Sequence, residues 1–162
     1  NFPLVYTRAT NVYGAYQQLY RIIPRAILCM KMGQKIQLQG GGRAVKSYIH
    51  IQDVSDATLK IARCGTNGET YHISPEGDGI SIYNLVASIA AKLGKKADDC
   101  IDVVEDRKGQ DAAYVIDSSK VRNELGWVTR IDLDAGLDKV IAWIEEHYEE
   151  LVNLPQGYIH KP

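Results

Sequence analysis

The chain has few cysteines, no excess of either charge and no long hydrophobic run. Its three cysteines, Cys29, Cys64 and Cys100, lack metal-ligand spacing, so we expect buried, reduced thiols and no metal site. The formal net charge is −1 without a basic stripe, which makes nucleic acid a poor candidate partner. No apolar run approaches the roughly 20 residues that span a bilayer, and no segment resembles a signal peptide. We therefore expect a cytoplasmic protein that binds neither nucleic acid nor membrane.

The sequence does contain enough apolar residues for one globular domain. Hydrophobic residues make up 45% of the 162 positions and charged residues 24%, which is typical of a soluble folded chain. The predicted strands cover 4–7, 36–38, 48–51, 70–73 and 101–104, a polar turn covers 10–14, and helices begin near Pro24, Asp53, Ser81, Asp117 or Ser118, and Asp132 or Asp134. This alternation indicates an α/β fold, in which the few short strands form part of a larger sheet beside a small α/β lobe.

Three segments, in a fixed order and spacing, carry a resemblance to a known family. They are RATNVYG at 8–14 with IIP at 22–24, GG at 41–42 with KSYIHIQDV at 46–54, and DRKGQD at 106–111 followed by Tyr114 and LGW at 125–127. Together they resemble the extended short-chain dehydrogenase/reductase family, and within it the dTDP-glucose 4,6-dehydratases and their epimerase relatives. The resemblance covers most of the chain. It implies the C-terminal part of a Rossmann-type parallel sheet plus a small mixed α/β substrate-binding lobe.

Two signatures of that family are missing from the sequence. There is no Gly-x-Gly-x-x-Gly fingerprint for a dinucleotide, and no lysine completes the family's catalytic Tyr-x-x-x-Lys pair. In the family both lie upstream of the segment that matches 8–14. The resemblance therefore implies that residues 1–162 are the C-terminal nucleotide-sugar-binding portion, without the N-terminal portion that binds most of the NAD. We expect no catalytic residue in this chain and no activity from it alone, and the complete enzyme is a candidate homodimer.

The resemblance assigns the diphosphate of a nucleotide sugar to two side chains. Arg107 matches the family's diphosphate-binding arginine, and its planar guanidinium can make two charge-assisted bonds to phosphate oxygens. The alternative for Arg107 is a surface arginine paired with Asp106 or Asp111. Asn11 matches the family's substrate asparagine, whose amide can donate to a phosphate oxygen, although Asn also commonly stabilises turns. We predict that Arg107 and Asn11 converge on the same pyrophosphoryl group.

Three further basic residues are candidate substrate contacts. Lys46 stands where the family usually has a second phosphate-binding arginine, and a lysine cannot form the bidentate contact. Arg43, three residues earlier on the glycine loop, could substitute for it. The alternative for both is a solvated loop cation. Arg21 matches a basic position of the dehydratase motif.

The resemblance also implies contacts to the base, the ribose and the cofactor. Gln110 stands where dehydratases often carry His, and His72 stands where Asn is common. Both changes would alter recognition of the base or ribose, although a lone His in a strand is more often a core residue. Tyr114 is implied to pack on the nucleotide. The backbone near Ala9 and Thr10 would lie against the nicotinamide of NAD.

The implied reaction depends on NAD. In the family, NAD takes a hydride from C4 of the hexose, and the 4-keto sugar then loses water across C5 and C6 or is reduced on its other face. We predict the substrate-binding part of a nucleotide-sugar 4,6-dehydratase. The position before Arg21, usually Glu in dehydratases, is Tyr20, which leaves a nucleotide-sugar 4-epimerase open. A non-catalytic module that binds nucleotide sugars or a protein partner is the other alternative.

Overall fold

The computed structural model describes residues 2–106, 109 and 111–157, in which short strands alternate with helices. The strands are β1 (Tyr6–Ala9), β2 (Asn11–Tyr13), β3 (Ile36–Gln39), β4 (Val45–Lys46), β5 (Tyr48–His50), β6 (Thr70–Ile73), β7 (Ile80–Ser81), β8 (Ile101–Val104) and β9 (Ala113–Tyr114). The helices are α1 (Ile22–Lys31), α2 (Ile51–Cys64), α3 (Ile82–Lys92), α4 (Ala97–Cys100), α5 (Ser119–Leu125), α6 (Leu133–Glu146) and α7 (Tyr148–Leu151). Gly40–Gly42 forms a 3₁₀ turn between β3 and β4.

The strands pair mostly in parallel, which is the pattern of an α/β fold. β1 pairs with β6, β2 with β5 and β3 with β8, all in parallel; Tyr6 lies opposite Thr70, for example, and Ile36 opposite Ile101. β4 lies between β7, to which it is antiparallel, and β9, to which it is parallel. The predicted fold class, parallel strands with a small mixed α/β lobe, is confirmed.

Two apolar clusters hold the helices on the strands. In the larger cluster α1 packs against α3 and α6, because apolar residues recur every three or four positions along each helix. Ile27, Leu85 and Ile144 are fully buried there. The smaller cluster joins α2 and α5 to β6 around Ile61 and Tyr71. The apolar face predicted for the last long helix therefore packs into the larger cluster.

Local capping signals set several helix ends where the sequence predicted them. At the start of α3, Ser81 Oγ accepts a hydrogen bond from the backbone N–H of Asn84 at 3.1 Å. At the start of α6, Asp132 Oδ1 accepts from the N–H of Ala135 at 2.8 Å. Gly33, just beyond α1, has a φ of 69° and ends the helix in the left-handed conformation that glycine tolerates best.

Two predictions near the start of the chain were wrong. The first strand is Tyr6–Ala9 rather than residues 4–7, and the expected polar turn at 10–14 contains β2. Both differences come from strand pairing. β1 is extended where it meets β6, and one bend at Thr10 lets the chain continue along β5. The chain therefore passes from one strand pair to the next within a single residue.

The predicted start of the second helix was also wrong. α2 starts before Asp53, and its N-cap is His50, whose Nδ1 accepts a hydrogen bond from the Gln52 N–H at 3.2 Å. Asp53 is instead only 1% exposed. Its carboxylate oxygens accept from the backbone N–H groups of Arg130 and Ile131 at 3.0 and 3.1 Å. A buried carboxylate requires such donors, so Asp53 ties α2 to the segment before α6.

The three cysteines are free thiols, and two of them are buried as expected. Burial raises the pKa of the Cys29 thiol. Cys64 is exposed, contrary to the expectation, because it is the last residue of α2 and lies outside the smaller apolar cluster. None of the helices within the described ranges is both long and apolar enough to cross a bilayer.

Candidate functional site

A cleft of about 980 Å³ opens at the carboxyl ends of β1 and β2. Its walls are the bend after β1, the loop that leads into α1, the first turn of α1, and single residues of β5 and β9. The carboxyl ends of parallel strands are the usual ligand-binding edge of an α/β sheet. The predicted site residues that line this cleft are Ala9, Thr10, Asn11, Arg21 and Tyr114.

Asn11 has a structural contact in addition to its place in the cleft. Its Nδ2 donates to the Ser47 carbonyl oxygen at 3.0 Å, and its backbone N–H donates to the same oxygen at 3.1 Å. These two bonds fix the start of β2 beside β5. An amide nitrogen carries two hydrogens, so the bond to Ser47 leaves the second one for a ligand. This contact links two strands and differs from the turn-stabilising role considered as the alternative for Asn11, and it is compatible with the predicted contact to a ligand.

Arg21 combines with a helix terminus to make one end of the cleft electropositive. It is the N-cap of α1, and the first turn of that helix contains no acidic residue. Its guanidinium carbon lies 5.2 Å from the ring centroid of Tyr20, which also lines the cleft. The free N–H groups of a helix N-terminus attract anions, and an arginine beside them strengthens the attraction. This corner of the cleft suits a phosphate group.

Tyr114 and Lys46 occupy opposite positions on neighbouring strands, but only the tyrosine lines the cleft. Lys46 Nζ lies 5.8 Å from the Tyr114 ring centroid and donates to the Asp111 carbonyl oxygen at 3.2 Å. Lys46 borders a separate depression with Ser47 and Arg130. The structure therefore places Lys46 beside the ring of Tyr114 and not in the cleft.

Two other predicted residues lie away from the cleft. The Arg43 side chain is 82% exposed, and its Nη2 lies 3.8 Å from Asp106 Oδ2, as expected for a solvated loop cation. His72 is half-buried in β6, opposite Arg8 of β1, and its Nδ1 lies 3.2 Å from the Asp117 carbonyl oxygen. His72 is therefore neither a core residue nor a cleft residue.

Arg107 and Gln110 lie outside the described residues. The convergence of Arg107 with Asn11 on one pyrophosphoryl group consequently stays a prediction. In the sequence, Arg107 and Gln110 lie between β8, which ends at Val104, and β9, whose Tyr114 lines the cleft.

Burial shifts the pKa of three aromatic side chains in or beside the cleft. Burial raises the pKa of Tyr48, which lines the cleft, to about 12, and burial likewise raises the pKa of Tyr13. Burial lowers the pKa of His50, which keeps its Nδ1 free to cap α2. Among the described residues that line the cleft there is no carboxylate, imidazole or thiol. These side chains can bind and orient a ligand.

Sequence reasoning missed several residues of the cleft. They are Tyr16, Gln17, Gln39 and Tyr48. Gln17 Nε2 donates to the Val12 carbonyl oxygen at 2.7 Å, which folds the loop back onto β2. For Tyr16 and Gln17 the available signal was position, because residues 15–20 connect the two halves of the first matched segment.

Known proteins match this architecture along most of the chain. Residues 1–140 match the family model described as GDP-mannose 4,6 dehydratase. The dTDP-glucose 4,6-dehydratase of Mycolicibacterium smegmatis is 36% identical over 138 residues, which cover 85% of this chain and 41% of that protein. The dTDP-glucose 4,6-dehydratase of Bacillus anthracis, solved in complex with NAD, superposes with a TM-score of 0.84 at 31% identity, over 90% of this chain and 45% of that one.

A second solved relative agrees. The dTDP-glucose 4,6-dehydratase of Streptomyces venezuelae, solved with NAD bound, has a TM-score of 0.83 and 29% identity, again over 90% of this chain and 45% of that one. The chain thus spans less than half the length of the relatives it matches. Because the family model covers most of the sequence and the parallel strand pairs superpose on those of the dehydratases, the chain belongs to the GDP-mannose 4,6-dehydratase family of the extended short-chain dehydrogenase/reductases.

Proposed function

We propose that this chain is the nucleotide-sugar-binding part of an NAD-dependent nucleotide-sugar 4,6-dehydratase, of which residues 1–162 form the C-terminal portion. The chain spans 41–45% of the length of dTDP-glucose 4,6-dehydratases, so the activity of a whole enzyme is part of the proposal. The observation that carries it is the cleft, where Arg21 and the N-terminal end of α1 face the same space as Asn11 and Tyr114.

The cleft offers a distinct surface to each part of a nucleoside diphosphate sugar. The diphosphate carries negative charge, which suits Arg21 and the N-terminus of α1. The ring of Tyr114 provides an apolar face for the nucleotide, with the Lys46 ammonium behind it. Asn11 keeps one amide hydrogen for the ligand. The predicted contribution of Arg107 and Gln110 would come from the segment between β8 and β9, next to Tyr114.

The bend after β1 fits the nicotinamide of NAD. Thr10 is only 4% exposed, and its Oγ1 has no hydrogen-bond partner within the part of the chain that the structure describes. Ala9 beside it adds only a methyl group to the cleft wall. A small surface with one unused polar group suits a flat ring with a polar substituent. NAD would accept and return a hydride there, and Ala9 and Thr10 would hold its ring next to the sugar.

The same cleft assigns this chain a binding role and leaves proton transfer to the remainder of the enzyme. Arg21 is the only basic side chain among the described residues that line it, and no acidic side chain is among them. Holding a substrate in the reactive geometry can still lower a barrier by several kcal/mol. We therefore infer that this chain positions the sugar, and that the acid–base pair belongs to the N-terminal portion.

The first strand supports this division of the enzyme. Within the described ranges β1 pairs with β6 alone, and Tyr6 on this strand is exposed, as is Leu4 two residues before it. An exposed strand edge with apolar side chains is what remains when a larger sheet lacks its next strand. We infer that the NAD-binding portion continues the sheet at β1. The proposal extends to a cytoplasmic homodimer, in keeping with the free thiols of the chain.

One observation favours a second candidate. Tyr20 lines the cleft where dehydratases usually have Glu, which would suit a nucleotide-sugar 4-epimerase. The product of the full-length protein separates the two. A 4-keto-6-deoxy sugar identified by NMR supports dehydration, and a C4 epimer with no loss of water supports epimerisation.

Ligand binding tests the assignment of the cleft. We expect calorimetric titration to show that dTDP or UDP binds, and that thymidine or uridine binds much more weakly because it lacks the diphosphate. Arg21→Ala should weaken binding of the diphosphate by about tenfold or more, the value of one charge-assisted contact. Arg43→Ala removes the same charge from an exposed loop off the cleft and serves as the matched control. An equal loss of affinity in both variants would mean that Arg21 acts only through the net charge of the protein, and it would contradict the assignment of the cleft as the diphosphate site.

The gene provides an independent test of the missing half. The reading frame upstream of Asn1 should encode a Gly-rich dinucleotide fingerprint and a Tyr-x-x-x-Lys pair. The protein that includes this region should bind NAD tightly, whereas the 162-residue chain should not. A frame without either motif would favour the non-catalytic binding module.

A further inference from the structure

The loop along the cleft, residues 14–20, contains an unusual backbone position. Tyr16 has a φ of 63°, a left-handed value that no other non-glycine residue adopts within the described ranges. A residue with a Cβ is disfavoured in that conformation, and a bulky one particularly so. Such strain persists only where the surroundings hold it, and it concentrates at functional sites. Contacts must therefore keep Tyr16 in place.

Burial of the ring does not explain the conformation, because Tyr16 is 78% exposed. The ring lies instead against two rings at the end of α6. Its centroid is 5.2 Å from that of Trp143, at a tilted angle, and 6.0 Å from that of His147, edge-on. Both arrangements are favourable for aromatic pairs. Trp143 is itself buried, and its carbonyl oxygen accepts a hydrogen bond from His147 Nδ1 at 3.0 Å, so the surface under Tyr16 is firm.

The other anchors of the loop lie on different elements. A Cβ on Gly14 would come within 2.5 Å of Ile51 Cγ2, so this end of the loop is pressed against the start of α2. The Gln17 side chain reaches back to β2. Leu19 is buried in the larger apolar cluster, to which α6 contributes, and Ala15 packs against that cluster, so the ring of Tyr16 is one of several contacts that hold the loop. The loop ends at Tyr20 and Arg21, the pair that forms the electropositive corner of the cleft.

We propose that Tyr16 is a positioning residue, whose ring on Trp143 and His147 holds the 14–20 loop against α6, so that Arg21 faces the cleft before a ligand arrives. A loop held in its binding conformation raises affinity, because the ligand need not select a rare state. This consequence for affinity rests on the proposed function. The contact between Tyr16 and α6 does not depend on the proposed function, and its effect on the loop can be measured without any ligand.

The first experiment measures backbone opening in the free protein. Amide hydrogen exchange of a peptide covering residues 14–21, followed by mass spectrometry, is compared in Tyr16→Ala and Tyr16→Phe. The alanine variant keeps the left-handed strain but loses the ring, so exchange should accelerate about three- to tenfold, as expected for the loss of one aromatic contact. The phenylalanine variant keeps the ring and should exchange at the wild-type rate. Wild-type exchange in Tyr16→Ala overturns the proposal.

Two controls separate the ring from other causes. Tyr83→Ala removes a partly exposed tyrosine from α3, away from the cleft, and should leave exchange of the loop unchanged. Tyr16→Gly removes both ring and strain, and its loop should exchange as fast as that of Tyr16→Ala or faster. A glycine variant with the wild-type rate would assign the loop conformation to the backbone alone and contradict the role of the ring.

The second experiment measures affinity for dTDP and UDP in the same variants. Tyr16→Ala should raise the Kd about three- to tenfold, with a melting temperature close to that of the wild type, and Tyr16→Phe should restore the Kd. An equal loss in Tyr16→Phe would mean that the hydroxyl touches the ligand, and an unchanged Kd with accelerated exchange would mean that the loop does not position Arg21; either result overturns the proposal. If the wild type binds no nucleoside diphosphate, the proposed function fails, and the exchange rates still decide whether Tyr16 holds the loop.

Discussion

Removing the Asp53 carboxylate should destabilise the whole protein, because it is the acceptor for two backbone donors across the fold. Asp53 is 1% exposed, and its oxygens lie 3.0 and 3.1 Å from the backbone nitrogens of Arg130 and Ile131. Asp53→Ala leaves both N–H groups without their acceptor in a part-buried position, and an unsatisfied donor of this kind costs about 1–3 kcal/mol. We expect a loss of roughly 3 kcal/mol or more, a large share of the roughly 5–15 kcal/mol of a typical domain.

Urea denaturation measures this loss, and the same helix supplies the control. With a slope of about 2 kcal/mol per molar urea, Asp53→Ala should lower the midpoint by about 1.5 M or more. Asp56→Ala removes a carboxylate from the same helix whose side chain is 60% exposed and whose nearest arginine nitrogen is 4.0 Å away, so its effect should stay within about 0.5 kcal/mol. If the two variants unfold at the same urea concentration, the two donors do not depend on Asp53 and the argument fails.

Three further predictions concern packing, pH and the cleft. Gly136→Ala should cost about 1–3 kcal/mol in urea titrations, because a Cβ there would overlap Tyr13 Oη, and adding Tyr13→Phe should recover part of the loss. Burial lowers the pKa of His50 below its usual 6.5, so between the two values the unfolded chain binds a proton that the native protein does not. The free energy of unfolding should therefore fall as the pH drops from 7 to 5, and fall less in His50→Asn. Lys46→Met should weaken nucleotide binding, because the ring of Tyr114 would lose the cation beside it.

The controls for these predictions are matched to the changes. Gly157→Ala adds a methyl group in open space and should leave stability unchanged, so an equal loss in both glycine variants would contradict the overlap at Tyr13. For His50, an identical pH dependence in wild type and His50→Asn would show that other groups take up the proton.

The sequence predicted several helix ends whose signal and partner lie within one turn. Ser81 caps α3 through a residue three positions away, and Gly33 ends α1 next to its last turn. The apolar spacing of α6 likewise depends on residues of that helix alone. In these helices no distant partner competes with the local signal, which is why Ser81 and Gly33 mark helix ends in the structure as predicted.

Features that depend on distant partners could not be predicted in this way. Asp53 looks like a cap from its neighbours, yet its donors are 77 and 78 residues further along the chain. The bounds of β1 depend on its pairing with β6, which lies more than sixty residues later in the sequence. The residues near the start of the chain do not by themselves indicate where the strand begins. Tyr16 carries no motif at all, and its role emerges only from a left-handed backbone and the rings of α6. The resemblance placed residues along the sequence, but not relative to the cleft.

Lys46, predicted as a phosphate ligand, lies beside the ring of Tyr114 in the structure. The same ring lines the cleft. A cation near an aromatic ring at an exposed site contributes about 0.5–1 kcal/mol, and this attraction would favour one orientation of the ring. That task needs only a positive charge, so a lysine can perform it where the family usually has arginine. The loss in Lys46→Met should consequently be the same factor for a nucleoside monophosphate and a diphosphate, measured by calorimetry. A loss that grows with the number of phosphates would instead put the ammonium on the diphosphate and contradict its position in the structure.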